Sequence, residues 1–177
     1  MFQDVEKYVY GNITKCKMHD LVHDVAFSIL KSETLILDAN LVDDVSHVRC
    51  LFIQSDGLRE PRIPFTTEFV MNLRTFVSEN VAVGGILSNF KCLYTLRLSG
   101  YSIKEFPDSI GQLIHLRLFC ISHTLIEVLP KSITTLYNLQ TLRVQYCHRL
   151  KELPEDLRNF INLIHIYIEH CDIKRTP

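Results

Sequence analysis

Between residue 93 and the end of the chain, apolar residues return at fixed offsets. Leu93, Leu96, Leu98, Ile103, Phe106, Ile110 and Leu113 set the spacing, and Leu116, Phe119, Ile121, Ile126, Leu129, Ile133 and Leu136 repeat it. A third set runs Leu139, Leu142, Val144, Leu150, Leu153, Leu157 and Phe160, and a fourth opens with Leu163, Ile166, Ile168 and Ile173. Measured between opening leucines at 93, 116, 139 and 163, the steps are 23, 23 and 24 residues. In each unit an apolar-polar-apolar alternation predicts a short strand with two side chains turned inward. The second half of the unit spaces its apolar residues more widely and carries Pro107, Pro130 or Pro154. Proline has no N–H to give to a ladder, so this half is expected to return along the opposite side as a turn.

A unit of this size cannot bury its own apolar face and must stack on a neighbour to make a continuous core. Its consensus, LxxLxLxxxxIxxLPxxIxxLxx, is that of a leucine-rich repeat. The polar positions between the inward leucines then face out on the concave side: Thr95, Arg97 and Ser99; Leu118, Cys120 and Ser122; Thr141, Arg143 and Gln145; His165, Tyr167 and Glu169. Arg97, Cys120, Arg143 and Tyr167 form the central column and are the candidate partner-binding residues. Arg and Tyr are favoured at binding hot spots, although any one of them also fits an ordinary solvated sheet face. The eighth position after each opening leucine, where a small polar group usually bonds the turn backbone, holds Tyr101, Thr124, Cys147 and Cys171. Tyr101 suits that role least.

Residues 41–92 carry the period in degraded form. Val48, Leu51 and Ile53 resemble one strand and Leu73 with Phe76 another, with loops expected at Gly57 to Pro64 and Val81 to Gly85, marked by Gly, Pro and loss of period. These are read as irregular first repeats. Residues 1–40 follow a different pattern. Val9-Tyr10, Gly11-Asn12 and Ile13 to Met18 read as a hairpin, because a Gly-Asn pair supplies the positive φ angles of a tight turn. From His19 to Leu30, apolar residues at 21, 22, 25, 29 and 30 mark one helix face. Hairpin and helix together look like part of a winged helix. The expected fold class is therefore α/β, a leucine-rich-repeat solenoid preceded by a partial winged-helix segment.

With 177 residues and 47% hydrophobic content the chain can bury a sizeable core. Its net charge of −1 gives no basic footprint for nucleic acid. The N-terminus has no basic or apolar leader pattern, and no stretch approaches the ~18 uninterrupted apolar residues of a membrane span. The six cysteines, at 16, 50, 92, 120, 147 and 171, are too scattered for CxxC chemistry, and two of them follow the repeat period, which explains them better than disulfides do. The expectation is a cytoplasmic chain with neither nucleic acid nor membrane as partner.

Candidate chemistry is confined to Cys16 to His23. His19 and His23 stand four apart with Asp20 after the first, so HDLVH superficially matches the zinc-protease HExxH, with Cys16 as a further ligand. Asp in place of Glu is one methylene shorter than the usual general base, and no downstream ligand motif follows. A second reading needs fewer assumptions: Asp20 lies in the first helical turn, and His19 at the strand-to-helix junction could donate to an anion. A third is that Asp20 simply caps the helix while His19 is exposed.

Cys16-Lys17-Met18-His19-Asp20-Leu21-Val22-His23-Asp24-Val25-Ala26 closely resembles the MHD motif of plant nucleotide-binding leucine-rich-repeat (NB-ARC type) disease resistance proteins, with its trailing LVHDLA. Phe2 to Glu6 and Gly11-Asn12-Ile13 are similar to that family's winged-helix subdomain, and Val48 to Pro177 is similar to its repeats. The resemblance implies three regions: 1–40, the C-terminal part of a winged-helix (ARC2-like) subdomain; 41–92, irregular first repeats; 93–177, regular repeats. It further implies that His19 contacts the β-phosphate of bound ADP in the resting state and that Asp20 supports this arrangement. The repeats would restrain the switch, by contact with the nucleotide-binding domain, and take part in recognising a pathogen effector or a guarded host protein. ATP replacing ADP would release it.

No G-x-x-x-x-G-K-S/T phosphate loop occurs in these 177 residues, and the array stops at Thr176-Pro177 without a polar cap. The expectation is a receptor fragment truncated at both ends, not an enzyme, that binds no cofactor alone. The alternative is a free-standing leucine-rich-repeat adaptor for a protein partner.

Overall fold

The computed structural model describes residues 2–7, 13–18, 24, 28, 31, 33–37, 45–54, 63, 66–81 and 85–173. They fall into two compact units, Met1–Thr34 and Leu35–Pro177. In the first, β1 (Phe2–Lys7) pairs antiparallel with β2 (Ile13–Met18), Phe2 opposite Met18 and Lys7 opposite Ile13, with register shifts on either side of Glu6. A hairpin is present as expected, but its first strand lies upstream of Val9-Tyr10, so more residues separate the strands than a two-residue turn requires. Of the helix expected over residues 19–30, the described residues are Asp24 and Ser28, both helical and exposed.

A seven-stranded sheet organises the second unit, in the order of the sequence: β3 (Thr34–Leu37), β4 (Cys50–Gln54), β5 (Thr75–Glu79), β6 (Thr95–Ser99), β7 (Leu118–Ser122), β8 (Thr141–Gln145) and β9 (His165–Glu169). From β4 to β9 every pairing is parallel and keeps residue-for-residue register: Phe52, Val77, Arg97, Cys120, Arg143 and Tyr167 lie on one line across the sheet. The alternation is as expected. Leu96 and Leu98, Phe119 and Ile121, and Leu142 and Val144 are fully buried, while Arg97 and Arg143 between them are exposed. In β5 the second inward position holds Ser78, buried where its neighbours carry an aliphatic side chain. That substitution is one reason the early repeats are hard to see in the sequence.

Opposite the sheet run short 3-10 turns at Leu87–Asn89, Asp108–Gln112, Lys131–Thr135 and Leu157–Asn159. Pro107 and Pro130 precede two of them in extended conformation, φ −71° and −63°, where the missing N–H costs no bond. Between Ser46 and β5 a single helical turn, α1 (Thr67–Asn72), takes the same place, its first turn capped by the Thr66 hydroxyl accepting from the Phe69 N–H at 3.3 Å.

Asparagines just before the opening leucines tie successive units together. The Asn138 amide donates to the Ile114 carbonyl at 2.8 Å, Asn162 to Tyr137 at 2.8 Å and Asn72 to Ser46 at 2.6 Å. A sequence signal for these bonds exists in the Asn-Leu pairs at 72, 138 and 162, but the leucine period conceals it. Cys92 and His115 stand at the same place in the other two units and lack the amide.

Two neighbouring residues separate packing from surface. Leu142→Ala is expected to lower stability by about 2–5 kcal/mol, and Arg143→Ala to stay within about 0.5 kcal/mol, both read from urea unfolding midpoints. Equal losses would show that the strand register is shifted.

Candidate functional site

The concave face of β6 to β9 carries the central column, and a hollow of about 310 Å³ opens on it. Arg97, Arg143 and Tyr167 stand around the hollow with Cys120 between the arginines, and Leu118, Thr141 and His165 line the side toward the strand entries. The parallel ladder sets the pitch: Arg97 and Arg143 are two strands apart, about 9–10 Å at the backbone. The Arg143 guanidinium lies 4.8 Å from the centre of the Tyr167 ring, a cation–π contact that restrains it.

Cys120 faces this side in register but is only 5% exposed. It is therefore the floor of the hollow, and a partner would meet the arginines first. Burial pushes its thiol above the ordinary value, while the positive charges of Arg97 and then Arg143 pull it back. Both cations thus act on the same point. The other described cysteines, at 50, 92, 147 and 171, are free thiols as well.

Beneath the strand exits, the eighth-position residues Thr124 and Cys147 are buried and Cys171 is half-buried. Thr124 Oγ1 and Cys147 Sγ lie 3.1 Å apart, the Cys147 thiol reaches the Gln145 carbonyl at 3.3 Å, and the Cys171 thiol reaches Glu169 at 3.3 Å. Tyr101 takes no part and is 62% exposed, as its size requires.

Above them runs a feature that the leucine period does not announce. The residue after each of β5 to β9 has positive φ: Asn80, Gly100, His123, Tyr146 and His170. Gly100 is required, since a Cβ there would come within 2.7 Å of the Asn80 backbone. His123, Tyr146 and His170 accept a strained conformation, and their rings stack with centroids 4.7 and 4.6 Å apart. That is the spacing of paired strands, so the ladder itself holds the rings face to face. The available signal is an aromatic or imidazole residue one place beyond each of β7, β8 and β9.

His19 and Asp20, the candidate ADP contacts, lie outside the described residues, as does His23 of the alternative metal reading; β2 ends immediately before them at Met18. Among the described residues no group of three or more His, Cys, Asp or Glu side chains is arranged to hold a metal ion, and no helix is long and apolar enough to cross a membrane.

Two measurements probe this geometry. The rate of Cys120 alkylation by iodoacetamide is expected to rise with pH about a midpoint above that of an unperturbed thiol, and Arg143→Gln to move that midpoint further up. A midpoint at or below the ordinary thiol value would contradict the burial of Cys120. Tyr146→Ala is expected to be less stable than Tyr146→Gly by about 1 kcal/mol, because both lose the stack but only glycine relieves the positive φ; thermal melts of the two variants decide it.

The family described as leucine-rich repeat region matches residues 70–177. Among curated proteins the chain is similar to Disease resistance RPP13-like protein 4 of Arabidopsis thaliana, 25% identical over 97% of this chain and 20% of that protein. It is also similar to Disease resistance protein RGA2 of Solanum bulbocastanum, 30% identical over 84% of this chain and 13% of that protein. Disease resistance protein RPS4B of Arabidopsis thaliana is 32% identical over 52% of this chain and 8% of that protein. The chain thus spans a fifth or less of the length of these relatives. Among solved structures, the leucine-rich repeat domain of the type III effector XopL matches 86% of this chain and 44% of its own at 21% identity, with a TM-score of 0.40. With the repeat family matched over more than half of its residues, the chain belongs to the leucine-rich repeat proteins, and its relatives bear the names of plant disease resistance proteins.

Proposed function

We propose that this chain is the recognition array of a plant immune receptor of the nucleotide-switched kind. Its concave face binds a protein, either a pathogen effector or a guarded host protein. In the resting receptor the array also restrains the nucleotide-binding domain, and the segment through His19 and Asp20 reports the ADP or ATP state. The observation that carries the reading is the unbroken register of β4 to β9, which sets Arg97, Cys120, Arg143 and Tyr167 on one line of a rigid parallel sheet. The names of the relatives, all of them disease resistance proteins, and the Met18-His19-Asp20 segment ahead of the repeats support the rest.

A protein-recognition role asks little of these residues beyond rigid presentation. Arg and Tyr give large contact area with few rotatable bonds, and both stand on strands, which hold side chains more tightly than loops do. Catalysis has no part in the reading, and the purified chain is expected to show no saturable ATP hydrolysis.

The test uses a receptor in which this array is joined to a nucleotide-binding domain, as the reading requires. Replacing Arg97, Arg143 and Tyr167 together by Ala is expected to weaken partner capture at least tenfold, while His19→Ala lowers the amount of ADP that copurifies. If His19→Ala leaves nucleotide content unchanged and the triple variant alone has an effect, the protein is an adaptor without a switch. If the triple variant binds normally, the concave face is not the recognition surface.

A further inference from the structure

We propose that the hollow on β6 to β9 is an acidic-peptide site, in which an extended segment of a protein partner places a Glu or Asp carboxylate between the guanidinium groups of Arg97 and Arg143. The proposal rests on reading the concave face as a recognition surface and adds the chemistry it selects.

Charge placement is the first argument. Some exposed charges elsewhere in the repeats are paired within the chain: Lys151 with Glu127, Arg158 with Asp156 at 3.1 Å, and His148 lies 3.6 Å from Asp172. Among the described residues Arg97 and Arg143 have no such ion pair. No carboxylate lines the hollow. The two acids of this sheet face, Glu79 and Glu169, stand at the strand exits, and Glu169 already accepts from the Gln145 amide at 2.6 Å. Two cations are thus held toward one space that contains no anion.

The floor is the second argument. Cys120 sits between the arginines, and its burial favours the neutral thiol, so it supplies little counter-charge. A larger side chain at this place would fill the gap; cysteine leaves it open.

Donor geometry and size favour a carboxylate. The guanidinium fork matches the two oxygens of a carboxylate, and the Tyr167 ring already restrains that of Arg143. A phosphate, with three acceptor oxygens, is usually met by backbone N–H groups as well, but along β6 to β8, which carry both arginines, the backbone donors are spent in the parallel ladder. At about 310 Å³ the hollow stands at the lower end of ligand pockets, fit for one side chain of a peptide. Leu118 and Thr141 offer its methylenes a partly apolar wall.

The test is fluorescence anisotropy of labelled nonapeptides with the intact 177-residue chain. Alternating Ala-Glu, Ala-Gln and Ala-phosphoserine sequences serve as probes. The Glu peptide is expected to bind saturably, at least tenfold tighter than the Gln peptide, and more weakly as NaCl rises. Arg97→Ala and Arg143→Ala should each weaken it about tenfold or more. Arg143→Lys should also weaken it, since a lysine keeps the charge and loses the fork, and Arg158→Ala should leave it unchanged. Absence of saturable Glu-peptide binding, equal binding of Glu and Gln peptides, or tighter binding of the phosphoserine peptide would each overturn the acidic-peptide site. Where Glu and Gln peptides bind equally and both are lost in Arg143→Ala, the recognition face stands and only its acidic preference falls. Binding that no concave substitution changes removes the recognition face itself.

Discussion

Everything in the repeat unit depends on the parallel ladder that joins each strand to the next. At the entries of β5 to β9 one carbonyl takes two N–H donors from the following repeat: Arg49 from Arg74 and Thr75, Arg74 from Tyr94 and Thr95, Tyr94 from Arg117 and Leu118, Arg117 from Gln140 and Thr141, Gln140 from Ile164 and His165. Shared acceptors of this kind allow no slippage, because a shift of one residue would turn every inward leucine to solvent. Burial and register therefore specify each other. The core is a single cluster running from Leu35 to Phe160, so no repeat is stable apart from its neighbours.

A fixed pitch has consequences on both rims of the sheet. At the exits it brings His123, Tyr146 and His170 to ring-stacking distance and helps offset their unfavourable backbone conformation. At the entries it sets Tyr94 between two guanidiniums, those of Arg74 at 5.7 Å and Arg117 at 5.1 Å. Side chains that are unremarkable singly become columns because the ladder copies them at equal intervals. Where the sequence departs from the period, the geometry departs with it. α1 replaces a 3-10 turn, and Ser78 stands where an aliphatic side chain would complete the inward pair.

The regular repeats were legible almost to the residue, since two inward leucines per strand and a proline in the return path leave little freedom. The strands at 50–54 and 75–79 are legible from Val48, Leu51 and Ile53 and from Leu73 with Phe76. The ring stack was not legible. Positive φ at a histidine or tyrosine runs against local preference, and only tertiary pitch makes it tolerable. Nor was the burial of Cys120 legible, because alternation assigns a face and says nothing about how closely two long neighbours will enclose a short side chain. The Gly-Asn pair favours a two-residue turn, whereas the pairing of Lys7 with Ile13 leaves residues 8–12 between the strands and sets the first strand upstream of Val9-Tyr10.

The separation of core from concave face explains how such an array can change what it recognises without losing its fold. Leu96, Leu98, Leu142 and Val144 pack into the stack, whereas Arg97 and Arg143 stand exposed on the concave face. Cys120 is the exception. It belongs to the outward column by register and to the interior by exposure, so its size is limited by packing while its smallness sets the gap between the arginines. A substitution there cannot be neutral to both roles: a bulkier residue must either displace the guanidiniums or be squeezed between them. Packing and the spacing of the outward cations meet at that one position, and the distance between the two arginines is inherited from the sheet.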